Sequence, residues 1–347
     1  MATFHPLTVA KIDALTDDAA AVTFRIPDEL REQFTFRPGQ SLTIRRGGER
    51  RSYSICAPVG RPPRIGVREV PGGALSGWLV RGVRAGDVID VQVPDGKFTP
   101  DLTEPGRHVL IAAGSGITPL MSIAASVLAA HADSTVTLLY GNRRTDTVMF
   151  ADDVADLKDA YPARMRLVHV LSRESQEVEL FNGRLDAEKM RTLLPVTVDV
   201  AEVDHWWLCG PFGMVTDAMD VLSDLGVQRA RIHRELFYVE PDPPVQVHHV
   251  DAAAGPGAEV TVVLDGRSST VTVAPDTAIL DAAQQSRPDL PFACKGGVCG
   301  TCRALVTDGE VTMRRNYALE DDEVAEGYVL TCQALPVTEQ VTVDYDA

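Results

Sequence analysis

Over the first hundred residues apolar and polar positions alternate in short runs, LTVAKIDAL, AVTFRIP, SLTIRR, RSYSICA, RIGVREV and VIDVQVP, broken by prolines and glycines. Such runs predict strands, and their succession predicts an antiparallel β-barrel ending near Thr103. From Arg107 the pattern changes. HVLIAA reads as a buried strand, GSGITP as a turn and LMSIAASVLAA as a helix, with further strands at TVTLLY, RMRLVHVL, HWWLCG and RIHREL. Strands alternating with helices imply a parallel α/β sheet, with its ligand at the carboxyl ends of the strands. Val239 to Gly257 then carries four prolines and little periodicity, which reads as a semi-extended tether. Beyond it, EVTVVL, the Asp265-Gly266 turn and STVTV predict a hairpin, and TAILDAAQQS a short helix.

The expected organisation is therefore multidomain: an antiparallel barrel over residues 1–103, an α/β parallel-sheet domain over 104–238, a linker over 239–257 and a small third domain over 258–347. A length of 347 residues exceeds what one core usually supports, which agrees. MATFHPLTVAKID lacks the layout of a secretory signal, and no apolar run approaches the roughly 20 residues a bilayer requires, so a cytoplasmic protein with no membrane partner is expected. The net charge of −16 argues against a nucleic-acid partner. In a reducing compartment six cysteines point to metal or redox chemistry rather than to disulfides.

Three of those cysteines crowd into CKGGVCGTC. Cys294, Cys299 and Cys302 follow C-x4-C-x2-C, and Cys332 lies thirty residues further on, which is the plant-type ferredoxin spacing for a 2Fe-2S cluster. By its resemblance to plant-type ferredoxins the third domain is expected to have an α+β (β-grasp) fold. The competing reading is structural zinc, which also takes four thiolates but usually as two C-x2-C knuckles. Cys56 and Cys209 stand singly in apolar strands, where a buried small hydrophobe is the default. Trp206 and Trp207 read as core, and His248 and His249 as linker.

FRPGQ followed by RSYS resembles the flavin-binding signature of the ferredoxin-NADP reductase family, and VREVPGGALSGWL strengthens the likeness. The resemblance assigns Arg51, Ser52, Tyr53, Ser54, Val67, Gly72, Gly73 and Ser76 to FAD. Arg51 suits the pyrophosphate, Tyr53 packing against the flavin, Ser54 a hydrogen bond near flavin N5, and Ser76 the cap of a helix whose N-terminus faces phosphate. GSGITP sits between strand and helix as a dinucleotide phosphate site should, placing Gly114, Gly116, Thr118 and Pro119 there, although it departs from G-x-G-x-x-G. No acidic residue follows the second strand at Tyr140. GNRR follows instead, so Arg143 or Arg144, helped by Ser172 and Arg173, can neutralise a ribose 2'-phosphate, which favours NADPH over NADH. CGPFGM resembles the family motif that holds nicotinamide against the flavin, bringing in Cys209, Gly210, Pro211 and Met214. RELF matches the end of the family's reductase module, which places Phe237 by the isoalloxazine ring and Glu235 at its edge. Ser54, Cys209 and Glu235 are the expected catalytic residues.

NADPH gives up two electrons together and a 2Fe-2S cluster accepts one at a time, so a flavin between them makes one electron wire. Val245 to Ala347 holds 16 Asp and Glu against 6 Lys and Arg, a net of −10, with EDDEVAE its densest patch. Such a surface steers docking to a basic acceptor. Across essentially the whole chain, and most particularly at NYALEDDEVAEGYVLTCQALP, the sequence resembles the reductase subunits of phenylacetyl-CoA epoxidase complexes. That resemblance implies an acceptor that is a di-iron oxygenase epoxidising phenylacetyl-CoA in phenylacetate catabolism. It also implies no oxygen-activating site in this chain, in line with the absence of a pair of Glu-x-x-His helices. Two alternatives stay open: the reductase of a Rieske-type ring- or steroid-hydroxylating oxygenase, and a non-catalytic flavin and iron-sulfur redox sensor.

Overall fold

The computed structural model describes residues 3–47, 49–237, 257–292 and 294–347; the expected tether, except Gly257, and the His248-His249 pair lie outside them. The described residues divide into two compact units, Phe4–Phe237 and a second that holds residues 257–347 together with Thr3. In the first, β1 (Phe4–Thr16), β2 (Ala19–Arg25), β3 (Ser41–Arg46), β4 (Glu49–Ser54), β5 (Arg64–Arg68) and β6 (Val88–Gln92) form one antiparallel sheet in the order β4-β3-β6-β1-β2-β5. Its two edges meet at an Ile55 to Ile65 bridge, where Cys56 N donates to Arg64 O at 2.8 Å, so the sheet curls shut. Alternate side chains, Leu7, Val9, Val22, Phe24, Leu42, Ile44, Ile89 and Val91 among them, fill the inside. Helix α1 (Ala74–Arg81) lies in the connection between β5 and β6 and buries Leu75 and Leu79.

The same unit contains a five-stranded sheet, parallel throughout: β7 (Arg107–Ala113), β8 (Thr135–Asn142), β9 (Met165–Leu171), β10 (His205–Gly210) and β11 (Ile232–Leu236), in the order β11-β10-β7-β8-β9. Helices α2 (Ile117–Ala130), α3 (Ala151–Ala160), α4 (Ala187–Thr197) and α5 (Phe212–Asp224) connect successive strands. The chain builds outward from β7 through β8 to β9, then returns to place β10 on the other side of β7. The strand order therefore reverses between β7 and β10, and a ligand crevice opens at their carboxyl ends. Helix α2 is apolar on nearly every face because the barrel covers its outer side: Ser122 Oγ donates to Ala57 O at 2.6 Å, and Val59 N to Ser126 Oγ at 3.1 Å. An Arg64–Asp153 ion pair at 2.6 Å, half-buried on both sides, adds to that joint. Trp206 and Trp207 are buried, and Trp207 Nε1 donates to His108 Nδ1 at 3.2 Å. His108, His205 and His233 gather around Trp207 at the amino-terminal end of the sheet.

The second unit holds β12 (Ala258–Leu264), β13 (Arg267–Val273), α6 (Ile279–Ala283), β14 (Arg303–Asp308), β15 (Val311–Met313), α7 (Asp321–Ala325), β16 (Tyr328–Leu330), β17 (Ala334–Pro336) and β18 (Gln340–Asp344). The main sheet runs β13-β12-β18-β14-β16, with β18 parallel to β12 and antiparallel to β14, while β15 and β17 pair separately. Helix α6 drives Ile279 and Leu280 into the core, which also takes Cys302 and Cys332.

Candidate functional site

At the carboxyl end of β11, Glu235 stands beside Cys209 of β10 in register. Ser54, at the end of barrel strand β4, donates its hydroxyl to Glu235 Oε2 at 3.0 Å. The three expected catalytic residues are thus brought together from two sheets. Glu235 keeps some exposed surface as a residue, but burial of its carboxyl pushes the pKa up to about 7 against the lowering effect of the Ser54 hydrogen bond. It can therefore hold or release a proton near neutrality. Burial, with the Glu235 carboxylate beside it, drives the fully buried Cys209 thiol well above its ordinary range and keeps it neutral. Phe237 packs, half-buried, against the sheet core.

The turn after β7 lies next to this corner. A Cβ at Gly116 would run into the carbonyl oxygen of Cys209, so the β7 and β10 ends approach this closely only because residue 116 is glycine. The helix begins inside the stretch expected to be a turn: Ile117, Thr118 and Pro119 form the first turn of α2, where proline forfeits no helical hydrogen bond. Thr118 is buried and donates its hydroxyl to Ser115 O at 2.8 Å, so that hydroxyl braces the turn. Tyr140, which sequence reasoning missed, reaches from β8 to place its hydroxyl 3.0 Å from Gly114 O and 3.2 Å from Met149 O. Pro211 precedes α5 and is exposed, while Gly210 and Met214 are buried at its start.

Arg143 and Arg173 sit on adjacent strand ends, Arg173 N donating to Arg143 O at 2.8 Å, and both are exposed. Ser172 is held by the same extension of the ladder, its N donating to Asn142 O at 3.0 Å. Arg144 is ion-paired with Asp146. Glu174 crosses from the far side to accept from Thr145 N and Oγ1, at 2.8 Å each. Sequence reasoning saw three cations and a serine here and no acid next to the strand; the folded loop carries two carboxylates among them.

Of the positions assigned to flavin, Arg51 is exposed at the start of RSYS, Ser52 shares a hydrogen bond with Thr43 at 2.9 Å, and Tyr53 is half-buried. Val67 turns its side chain into the barrel core and is buried as a whole residue. Ser76 departs from expectation. It lies inside α1, accepts from Val70 N at 3.1 Å and donates to Gly73 O at 3.2 Å, so it ties the Gly72-Gly73 turn back on itself and does not cap the helix.

In the second unit the four thiols fall into two interacting pairs, Cys294 with Cys299 and Cys302 with Cys332. Hydrogen bonds from Cys299 and from the backbone N–H groups of Gly296 and Val298 bring Cys294 down to about 5 despite burial. Cys302 and Gln333 lower Cys332 likewise. Among the described residues no three Cys, His, Asp or Glu side chains converge on a single metal position. A zinc tetrahedron gathers four thiolates about one ion, whereas two pairs suit two irons, so the cysteines fit a 2Fe-2S cluster.

The profile of the 2Fe-2S iron-sulfur cluster binding domain matches residues 262–337, and that of the oxidoreductase NAD-binding domain matches residues 110–220. Over 355 aligned residues the chain is 43% identical to the E subunit of 1,2-phenylacetyl-CoA epoxidase from Escherichia coli K12, with 100% of this chain and 99% of the relative covered. The chain belongs to the family of these epoxidase E subunits. The ferredoxin reductase component of 3-ketosteroid-9-alpha-monooxygenase from Rhodococcus rhodochrous is 32% identical over 352 residues, covering 98% of this chain and 96% of the relative. The solved structure of phthalate dioxygenase reductase matches with a TM-score of 0.62 at 21% identity, covering 98% of each chain, which shows the same fold. The chain is an NAD(P)H-dependent flavin iron-sulfur oxidoreductase.

Proposed function

We propose that this chain takes electrons from NADPH and delivers them, by way of FAD and a 2Fe-2S cluster, to a di-iron oxygenase that epoxidises phenylacetyl-CoA. The observation that carries this is the 43% full-length identity with the E subunit of a phenylacetyl-CoA epoxidase. FAD, when bound, supplies the exchange between two-electron and one-electron chemistry. Arg51 and the Gly72-Gly73 turn would hold its phosphates and Tyr53 its ring or ribityl chain. Ser54 and Glu235 would orient the flavin edge, with the Glu235 proton at hand near pH 7. The dinucleotide would lie over Gly114 to Pro119, its nicotinamide by Cys209 to Met214.

The side-by-side placement of Arg143 and Arg173 supports a 2'-phosphate and hence NADPH, while Asp146 and Glu174 temper that preference. A cytoplasmic setting is supported by cysteine usage, since four of the six cysteines have the spacing of cluster ligands, a chemistry suited to a reducing compartment. No helix among the described residues is long and apolar enough to cross a membrane.

The test is reconstitution with the oxygenase subunits of a phenylacetyl-CoA epoxidase. NADPH oxidation that depends on phenylacetyl-CoA is expected, and oxidation indifferent to it would overturn the assignment. A second reading, a reductase for a steroid-hydroxylating oxygenase, is favoured by the 32% identity to the 3-ketosteroid system. It requires that the steroid oxygenase be the better acceptor in the same assay.

A further inference from the structure

Gln333 follows the fourth cysteine and is 7% exposed. Its side-chain nitrogen lies 2.9 Å from the carbonyl oxygen of Lys295, 2.9 Å from that of Cys332 and 3.5 Å from Cys332 Sγ. Two N–H bonds thus face three acceptors. One can reach the loop between the first two cysteines while the other is shared between the carbonyl and the sulfur of Cys332.

The backbone that carries this amide is fixed on both sides, Gln333 N donating to Leu330 O at 2.8 Å and Arg314 N to Gln333 O at 2.9 Å. The loop is shaped to receive it. Lys295 adopts a left-handed conformation, φ +52, which is unfavourable for a residue with a Cβ and needs an external hold. Gly297, φ +78, passes over the glutamine stem so closely that a Cβ there would come within 3.1 Å of Gln333 Cγ.

We propose that Gln333 is a positioning residue for the 2Fe-2S centre, whose amide clamps the Cys294 loop to the Cys332 segment and raises the reduction potential by donating to the Cys332 sulfur. The sign follows from charge. Reduction adds negative charge that spreads onto the sulfurs, and an N–H donor stabilises the more negative state more strongly. A solely structural role would change how well iron is retained and leave the potential where it is.

The experiment is an EPR-monitored redox titration of the full-length holoprotein and of Gln333→Met, which keeps the length and removes the donor, with iron and acid-labile sulfide measured on both. The variant is expected to hold its iron and to shift the one-electron equilibrium roughly three- to tenfold toward the oxidised cluster, tenfold being about 59 mV. An unchanged potential at full iron content overturns the proposal. Should Gln333→Met fail to load iron, the unaltered protein decides the matter. With glutamine side chains labelled with 15N, pulsed EPR of the reduced cluster should show a 15N coupling, and its absence overturns the proposal equally. If the unaltered protein lacks two irons and two sulfides, the centre and the proposal fall together, and the chemical analysis separates that outcome from failure of the glutamine's role alone.

Discussion

Two glycine-rich loops in this chain are built on opposite principles. GSGITP is anchored by the sheet that carries it: the Cys209 carbonyl packs under Gly116, Tyr140 reaches Gly114, Thr118 turns back to Ser115, and α2 begins at once. CKGGVCGTC has no helix or strand, and of the described residues from Cys294 to Thr301 only Gly297 is buried. Its ties to the rest of the unit are single bonds along its length rather than a packed element: Tyr317 N to Gly297 O and Arg303 N to Gly300 O at 3.0 Å each, Thr331 N and Oγ1 to Cys302 O at 3.1 and 3.0 Å, the Lys295–Asp281 ion pair at 2.8 Å, and the Gln333 amide. The first loop is a cradle the protein makes for itself. The second is a wrapping whose shape depends on what its sulfurs hold, so metal binding there is coupled to folding.

The comparison can be broken most directly at the cluster. Cys332→Ser should abolish nearly all cluster iron and acid-labile sulfide while NADPH-driven ferricyanide reduction through the flavin persists within about twofold. Loss of both activities together would mean that the two units do not act separately.

Acid offers a second way to separate them, because no histidine lies between Gly257 and Ala347. Burial first, then the neighbouring His205, pushes His108 from 6.5 down to about 4, and His233 is shifted to about 4 for the same reasons. Below about pH 6.5 the unfolded chain takes up protons that these folded rings refuse until about pH 4. The first unit should therefore lose stability across that window, by about 3 kcal/mol for His108, and gain none above it. Glu235, shifted upward, works in the opposite sense between 4.5 and about 7, so the histidine contribution is read as the difference from His108→Gln in thermal melts. An unchanged pH slope in that variant would remove the cause assigned here.

Gly116→Val should force apart the β7 and β10 ends and slow NADPH-dependent flavin reduction on the order of 100-fold, with cluster iron unaffected. Stopped-flow measurement of the flavin absorbance would read this, and a loss under tenfold would show the close approach to be dispensable. The smallest effect is expected at the adenosine end. Arg143→Ala should raise the KM for NADPH about tenfold and that for NADH less than about twofold, while Glu174→Gln should lower the NADPH value. Equal effects on both nucleotides would refute the 2'-phosphate role.

Much of this was legible in the linear pattern where one physical cause dominates. SLTIRR and HWWLCG coincide with β3 and β10 because alternation and burial leave no other reading. The four cysteines were legible because thiol spacing is itself the chemistry. Helix α3, ADDVADLKDA, was not, since only Val154 is buried and no apolar stripe marks it. Glu174 escaped because it is 29 residues from the threonine it binds, a distance closed only when β8 and β9 pair. Ser76 misled for the reverse reason: its spacing from the helix start suits a cap, but the preceding turn claims the hydroxyl. Gln333 carries no signal of its own; any residue after the last cysteine looks incidental until the loop is seen to lean on it.

The position of β18 between β12 and β14 sets the order in which the second unit can be completed. The hairpin β12–β13 is synthesised about seventy residues earlier and must wait with one open edge until the final strand slides alongside it. A newly made chain therefore has all four thiols before it has a finished sheet to support them, and iron delivered early would meet a pliable ligand set rather than a closed site.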